Sequence, residues 1–441
     1  MQSSLRARLS TLRYTPAAPG AEESAPGALS PGEVRRGLNL SIYEGALATV
    51  HVSVVTGAFV TGFALMLGAN DFELGLIGAM PFVGPLFQFI GAFLEERLGE
   101  RRRITVISSA LSRVLWAVIA ALPFITMLGS AKIPMFLGLL LVSQALIGIT
   151  SNAWTSWMSD LVPPRRRGSY FGMRNTVCSI SAMVTTWLAG IGLDHYQSIG
   201  NDRVGYALVF GVAVLCAMAS AFVLSKQPEP PISRQRMPMR ALFSAPLKNP
   251  FFRSFSLAST GWAIATGIAS PFFNAYGIQT LHLSFTTLAL FGVATSAMGM
   301  IAQPFIGRLQ DRYGDRRVLI VSAFLTAVVP WGWVLSTPTF LLPVWLTSIL
   351  AGAFWPGVTQ GMLNILMERS PAEGRGAYVA TYGTITGAGT CVAGVLGGVV
   401  VSLMGSVLLP IGPLLLNHYG ILFVATSLGR AAIAWVFARR I

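Results

Sequence analysis

Apolar stretches of about twenty residues recur along this chain, and that recurrence decides most of what it can fold into. A helix of that length crosses a hydrocarbon core, where an open backbone finds no hydrogen-bonding partner. The runs lie at roughly 44–68, 74–94, 104–128, 133–158, 175–193, 203–225, 254–276, 284–306, 318–336, 340–366, 377–402 and 419–438. Charged residues make up only 11% of the chain, against about a quarter in soluble domains. Mean hydropathy is +0.64. A large soluble enzyme and a disordered chain are both excluded. An outer-membrane barrel is excluded too, because it needs short alternating segments and these runs are apolar on every face. The expected fold class is an all-α polytopic membrane protein with twelve transmembrane helices.

The formal net charge is +14. No basic groove with interleaved aromatics accompanies it, so nucleic acid is not an expected partner. The positives cluster instead at the ends of apolar runs. Of the 31 Lys and Arg, 27 fall in alternate loops or the termini, Lys132 and Arg203 fall on the opposite side, and Arg113 and Arg430 lie inside runs. That bias places the first side, with both termini, in the cytoplasm, and the protein as a multi-pass component of the cell membrane. Cys178, Cys216 and Cys391 all lie inside apolar runs without metal-ligand spacing. No metal or cofactor is expected.

Composition divides the chain. Residues 1–40 read as a disordered basic tail without the apolar core of a signal peptide. Residues 41–225 form a first six-helix bundle and 254–441 a second, joined by a Pro-rich, solvated cytoplasmic linker at 226–253. The stretch 403–418, with Pro410 and Pro413, reads as an outer loop lying on the membrane surface.

The two bundles repeat each other. Glu96-Arg97-Leu98-Gly99-Glu100-Arg101-Arg102 matches Asp311-Arg312-Tyr313-Gly314-Asp315-Arg316-Arg317 at an offset of 215. Asp160 leading to Arg167-Gly168 matches Glu368 leading to Arg375-Gly376 at an offset of 208. The starts of the sixth and twelfth runs match at an offset of 213. Six is an even number of crossings, so the repeats are parallel, and transporters place substrate at such an interface.

These loops carry a resemblance. The chain resembles the major facilitator superfamily over nearly its whole length after residue 40. The segment Gly307 to Arg317 is similar to the family's signature loop. The first copy departs from it, with Glu96 in place of Asp and Ala92 where Gly is expected. The resemblance implies a secondary transporter working by alternating access, monomeric, in a lipid bilayer, with no catalytic residues. It also implies a latch between the halves. Glu96, Arg97, Gly99, Arg101, Asp160 and Arg167 form the first-half gating set. Asp311, Arg312, Gly314, Arg316, Glu368 and Arg375 form the second. Topology alone needs positive charge but no acid at a fixed place, so the repeated acid–Gly–acid pattern favours the latch. Gly99 and Gly314 suit tight turns.

Ionisable groups inside a membrane are costly and default to functional candidates. The acids all read as loop, tail or helix-end residues, with Glu44 nearest to the membrane. His51, Arg113 and Arg430 are the groups inside. His51 has two readings of equal weight, a proton or substrate site and a hydrogen-bonded packing residue. For Arg113 and Arg430 a structural role, snorkelling or bonding to a neighbouring carbonyl, is favoured over substrate contact. The polar and aromatic residues expected to line a cavity with His51 are Gln144, Asn152, Asn175, Trp262, Thr266, Asn274, Gln303, Gln360, Asn364, Tyr378 and Tyr382. Several share helix faces at spacings of four or eight. Singly, each is better explained by interhelical hydrogen bonding.

No carboxylate is expected in that cavity, which disfavours a cationic substrate. The fifth run lacks the Gly-Pro pair usual in the family's proton-driven drug exporters. The expected substrate is a small neutral or weakly anionic organic solute, with a coupling proton or ion left open. Two alternatives stand beside it. One is a membrane-embedded transferase, which would need clustered acids. The other is a transporter-like scaffold or sensor that moves no solute.

Overall fold

The computed structural model describes residues 29–163, 166–231, 246–371, 375–405, 407–411 and 414–440. Among them, twelve helical spans alternate in direction. The first six are α1 (Pro31–Val54, continuing as Gly57–Met66), α2 (Asp71–Ala79, continuing as Gln88–Leu98), α3 (Arg101–Ala121), α4 (Lys132–Leu161), α5 (Arg167–Ser198) and α6 (Asp202–Ser225). The second six are α7 (Pro250–Gly267, continuing as Phe272–Gln279), α8 (Phe285–Tyr313), α9 (Asp315–Ala327, continuing as Val329–Val334), α10 (Leu342–Arg369), α11 (Arg375–Met404) and α12 (His418–Arg440). Nine helical stretches are long and apolar enough to span a bilayer, and the bent α1 and α2 make eleven. The broken α7 completes the twelve.

Three boundaries differ from expectation. The tail was expected to run to residue 40, yet α1 starts at Pro31. Ser30 caps it and Glu33 closes a capping box, so this helix starts well before its apolar run. The linker was expected to be solvated, yet its first residues pack down. Gln227 is fully buried, Trp157 donates to the Pro228 carbonyl at 3.0 Å, and the Arg101 amide donates to Glu229 at 2.7 Å. Its far end already belongs to α7, which Asn249 caps; residues 232–245 lie outside the described residues, as do 1–28. The expected outer loop contains a hairpin, β1 (Leu408–Ile411) antiparallel to β2 (Leu414–Asn417).

The repeat is visible in the backbone. α1 restarts after its break at Gly57 and α7 at Phe272, 215 positions apart, the offset of the signature loops. Different residues make the two breaks. Gly57 sits at φ +61°, a conformation that favours glycine. In α7, Pro271 removes an amide donor just before the restart.

The buried arginines show the same repeat with its parts exchanged. Arg113 on α3 donates to the Ala217 carbonyl on α6 at 2.7 Å. Arg430 on α12 donates to the Thr326 carbonyl on α9 at 3.2 Å. Arg430 stands 213 positions after Ala217, and Thr326 213 after Arg113. One place in the fold therefore holds the same bond twice, donor and acceptor swapped between its two helices. The carbonyl-bonding expectation for both arginines matches these contacts.

Small residues set the closest helix contacts. A Cβ on Gly148 of α4 would lie 2.0 Å from the Gly84 carbonyl oxygen, and one on Gly352 of α10 would lie 2.2 Å from that of Thr295. Lipid is as apolar as any side chain, so such close packing is what holds membrane helices together. Gly148→Val must push α4 from α2 and should cost about 1–3 kcal/mol. Thermal unfolding of the detergent-purified variant should show a clear fall in Tm, while Gly138→Val, where a Cβ meets open space, should leave it unchanged.

Candidate translocation site

Helical spacing builds a polar pocket inside the first half. Glu44, Ala48, His51 and Val52 fall on one face of α1 at spacings of four, seven and eight. They meet Thr105, Ser109, Ser112 and Arg113 of α3, and Ile147, Thr150, Ser151 and Trp154 of α4. Arg174 of α5 and Leu224 of α6 complete a cavity of about 230 Å³.

Glu44 is the main departure from the sequence reading, which kept carboxylates out of any cavity. It is 5% exposed and lies in the wall. Its position was misjudged because α1 continues far beyond its apolar run, carrying Glu44 to mid-helix. Its charge is balanced locally. Arg174 pairs with it at 3.3 Å and Ser220 donates to it at 3.1 Å. Arg174 also lies over the Trp154 ring at 4.5 Å. His51 is 4% exposed and meets Trp116 edge-on, yet neither ring nitrogen has a hydrogen-bond partner among the described residues.

Of the expected cavity set, His51 alone lines this pocket. Trp262 and Tyr378 are buried in the apolar core of the second half, and Tyr382 packs against it. Trp262 lies against Trp355 and Phe437, Tyr378 against Phe252, and Tyr382 stacks on Phe255. Thr266 returns its hydroxyl to the Trp262 carbonyl at 2.9 Å. Asn364 donates to Asp315 at 2.9 Å, so its amide is engaged at a helix end. Gln144 is buried, Asn152 and Gln360 are half-buried, and Asn175 and Gln303 are exposed. Asn274 faces the Gly57 break across the interface between the halves.

The loop motifs lie on the face that carries both chain ends, here the terminal face. Arg101 is 1% exposed and organises the first copy. It pairs with Asp160 at 2.6 Å and donates to the Ser156 and Pro230 carbonyls. Arg167 donates to the Ser159 carbonyl at 2.5 Å, and Arg316 to that of Ala438 at 2.8 Å. Arg97 and Arg312 lie over their neighbours Phe93 and Tyr313. Every one of these contacts stays within one half or its linker. Glu96, Asp311 and Glu368 are exposed and make no ion pair among the described residues. The Arg375 side chain lies outside the described residues. Gly99 and Gly314 turn the chain at φ +67° and +84°.

The halves meet at the opposite, far face. One buried apolar cluster there runs from Phe63, Tyr206 and Phe210 into Phe272, Phe285 and Tyr419. A Cβ on Gly75 of α2 would lie 2.5 Å from the Cα of Gly398 on α11, and Gly394 meets Ala79 beside it. Gly394 and Gly398, four residues apart on α11, thus pack against the first half. Asp71 of α2 accepts from the Tyr419 hydroxyl of α12, and His418 lies 3.8 Å from the same carboxylate. Asp194 of α5 accepts from the backbone amides of Phe285 and Thr286, at 2.7 and 2.9 Å, where α8 begins. An acid at a helix N-terminus satisfies free amides and meets the positive end of its dipole. Sequence reasoning missed Asp194 because its partners are backbone groups, which leave no complementary side chain to find.

The sequence profile of the Major Facilitator Superfamily matches residues 45–394 and 263–439. The chain belongs to this superfamily. Among curated relatives, the multidrug resistance protein MdtG of Klebsiella pneumoniae (strain 342) is 23% identical over 344 residues, covering 72% of this chain and 78% of that protein. MdtG of Proteus mirabilis (strain HI4320) is 26% identical over 321 residues, covering 64% and 76%. Among solved structures, the nucleoside transporter NupG, as a point variant, superposes with a TM-score of 0.72 at 11% identity, covering 91% of this chain and 99% of that one. A D-xylose–proton symporter gives 0.70 at 14% identity, covering 93% and 98%. Membership makes the chain a multi-pass membrane transporter of small solutes, not an enzyme.

For a superfamily member the far-face joint is the contact that must open. Asp194→Ala removes the acceptor of the Phe285 and Thr286 amides while Ser284 still caps Thr287, a loss of about 0.5–2 kcal/mol by the worth of such contacts. At the upper end that shifts the ratio of closed to open far faces by about thirtyfold. A cysteine replacing Met66, which lies near Phe285 in this joint, should react faster with a maleimide in Asp194→Ala than in the parent. Equal rates would show that Asp194 does not hold the joint.

Proposed function

We propose that this protein moves a small neutral or weakly anionic organic solute across the cytoplasmic membrane by alternating access, as a monomer with both termini in the cytoplasm. One observation carries the reading. Among the described residues, the hydrogen bonds between the halves all lie at the far face, and the loop motifs of the terminal face bridge nothing. With the positive-rich terminal face in the cytoplasm, this pattern supports an inward-open state. Glu96 and Asp311 are then the acids free to engage the opposite half when the terminal face closes and the far face opens.

The substrate would bind against the pocket of α1, α3 and α4. Its wall is rich in hydroxyls, and its one carboxylate, Glu44, is already paired with Arg174. Both features suit a neutral or anionic solute better than a cation. The relatives named as multidrug resistance proteins favour a second reading, drug export. The missing Gly-Pro pair in α5 weighs against its proton-driven form.

If the transport is coupled to protons, His51 is the first candidate carrier and Glu44 the second. His51 is buried in the pocket beside Arg113, and neither ring nitrogen has a hydrogen-bond partner among the described residues.

Uptake into proteoliposomes from a solute library tests transport itself, and a silent library together with silent counterflow would leave the scaffold reading. A cysteine at Ser198 should be labelled by an impermeant reagent in intact cells and one at Ser169 should not. For coupling, His51→Gln keeps hydrogen bonding but cannot titrate. It should abolish accumulation driven by a pH gradient and spare solute exchange. Gradient-driven accumulation that survives in His51→Gln moves the carrier to Glu44 or elsewhere.

A further inference from the structure

The pocket beside His51 carries an imbalance that points to the chemistry of its ligand. Its cations outnumber its anions. Glu44 is offset by Arg174 at 3.3 Å, while Arg113, 8% exposed, pairs with no carboxylate among the described residues. A single neutral acceptor, the Ala217 carbonyl, takes one of its N–H groups, and a guanidinium has five. Trp154, also in the wall, holds its indole Nε1 buried with no acceptor among the described residues. A neutral His51 adds one more free donor and one free acceptor. The wall therefore offers a surplus of donors and two cations, Arg113 and Arg174, that share the single carboxylate of Glu44. Unpaired buried charge is costly, and an anion that enters relieves it.

The hydroxyls supply the other half of the pattern. Thr105, Ser109 and Thr150 each donate to a carbonyl of their own helix, at 2.7, 3.1 and 2.8 Å. Thr105 is fully buried and the Thr150 oxygen also meets the Ser108 hydroxyl at 2.8 Å, so the lone pairs left for the cavity are those of Ser109 and the remaining one of Thr150. Lone pairs on the wall want hydroxyl donors on the ligand.

The second half shows that the arginine bond does not by itself require such a pocket. Arg430 makes the equivalent carbonyl bond, but it lies over the Trp355 ring at 5.9 Å beside the aromatic core that holds Trp262. The same cation is thus covered in one half and faces an open cavity in the other.

We propose that this pocket binds a small hydroxylated organic monoanion, such as a sugar acid or hydroxy acid. The carboxylate meets Arg113 and Trp154, and the hydroxyls meet His51 and the Ser109 and Thr150 oxygens. This deepens the transport reading, on which it rests for the pocket's role, but it is tested by binding alone.

The experiment measures binding to purified, detergent-solubilised protein by calorimetry and thermal shift. The probes are D-gluconate and L-lactate, with D-glucose as hydroxyls without charge and acetate as charge without hydroxyls. Gluconate or lactate should bind at least tenfold more tightly than glucose and acetate. Arg113→Met should lose that preference for the anion. Arg430→Met removes the matching structural bond and should lower Tm comparably while keeping the preference. Arg113→Lys, which restores the charge, should recover part of it, so a loss caused by misfolding is told apart. The proposal is overturned if neither hydroxylated anion binds, if glucose binds as well as gluconate, or if both Met variants lose binding alike. Uptake of a neutral or cationic solute without binding of these anions would sink this inference and leave the transport reading standing. Anion binding without any transport would do the reverse.

Discussion

The two halves are joined where their backbones touch. At the far face Gly75 and Gly398, Gly78 and Pro271, and Gly190 and Thr286 approach so closely that an added Cβ would fall within 3 Å of an atom in the other half. Inside a membrane no hydrophobic effect drives helices together, so close packing and satisfied polar groups must do it. Asp194 adds the satisfied polar group by taking two amides that α8 cannot bond internally. Beside these contacts, Asp71 accepts from the Tyr419 hydroxyl, and aromatic rings of the first half pack around Phe285 of the second. A joint of close backbone contacts, an aromatic cluster and two carboxylates can separate without dismantling either bundle.

The terminal face is organised in the opposite way. Its charges are numerous but turned inward on each half. Arg101 binds Asp160 and the start of the linker, and Arg316 binds the end of α12. These contacts make each bundle and its connections rigid. They leave Glu96 and Asp311 solvated, so closing this face costs little desolvation beforehand and gains what their new partners provide. Exposed pairs of that kind are worth under about 1 kcal/mol each. Under the alternating access we propose, the balance between the two faces would be set by small terms that a bound solute can tip.

The fold was legible because membrane crossing writes itself into hydropathy, and the duplication into repeated loops. The offset of 215 between the loops returns in the helix restarts at Gly57 and Phe272. The site was far less legible. His51 stood out because an ionisable group in an apolar run has few reasons to be there. Glu44 did not, because the helix that carries it starts thirteen residues before the apolar run is read to begin. Trp262, Tyr378 and Tyr382 looked like cavity residues from spacing, yet aromatic rings at helical spacing also build cores, and these pack against Phe252, Phe255 and Phe437. Spacing gives the face of a helix but not what that face meets. Asp194 left no trace in sequence, since a carboxylate capping a backbone pairs with no particular residue type.

Duplicated folds start with two equivalent walls, and this one has made them unequal. The swapped arginine bonds show how much of the common frame persists, since the same carbonyl contact survives with its donor moved to the partner helix. Around Arg113 the frame has been opened and lined with hydroxyls, an ion pair and a histidine. Around Arg430 tryptophans and phenylalanines fill the nearby space. The polar wall can hold and orient a solute, because its free donors have no alternative acceptor. The aromatic core gives the second half a stiff body with nothing to compete for that solute. Rocking a rigid apolar body against a polar, charge-bearing one changes which face of the pocket is covered while its own hydrogen bonds stay intact. Under the transport we propose, the asymmetry between the halves, rather than their shared repeat, would let the first half keep its solute while the second moves past it.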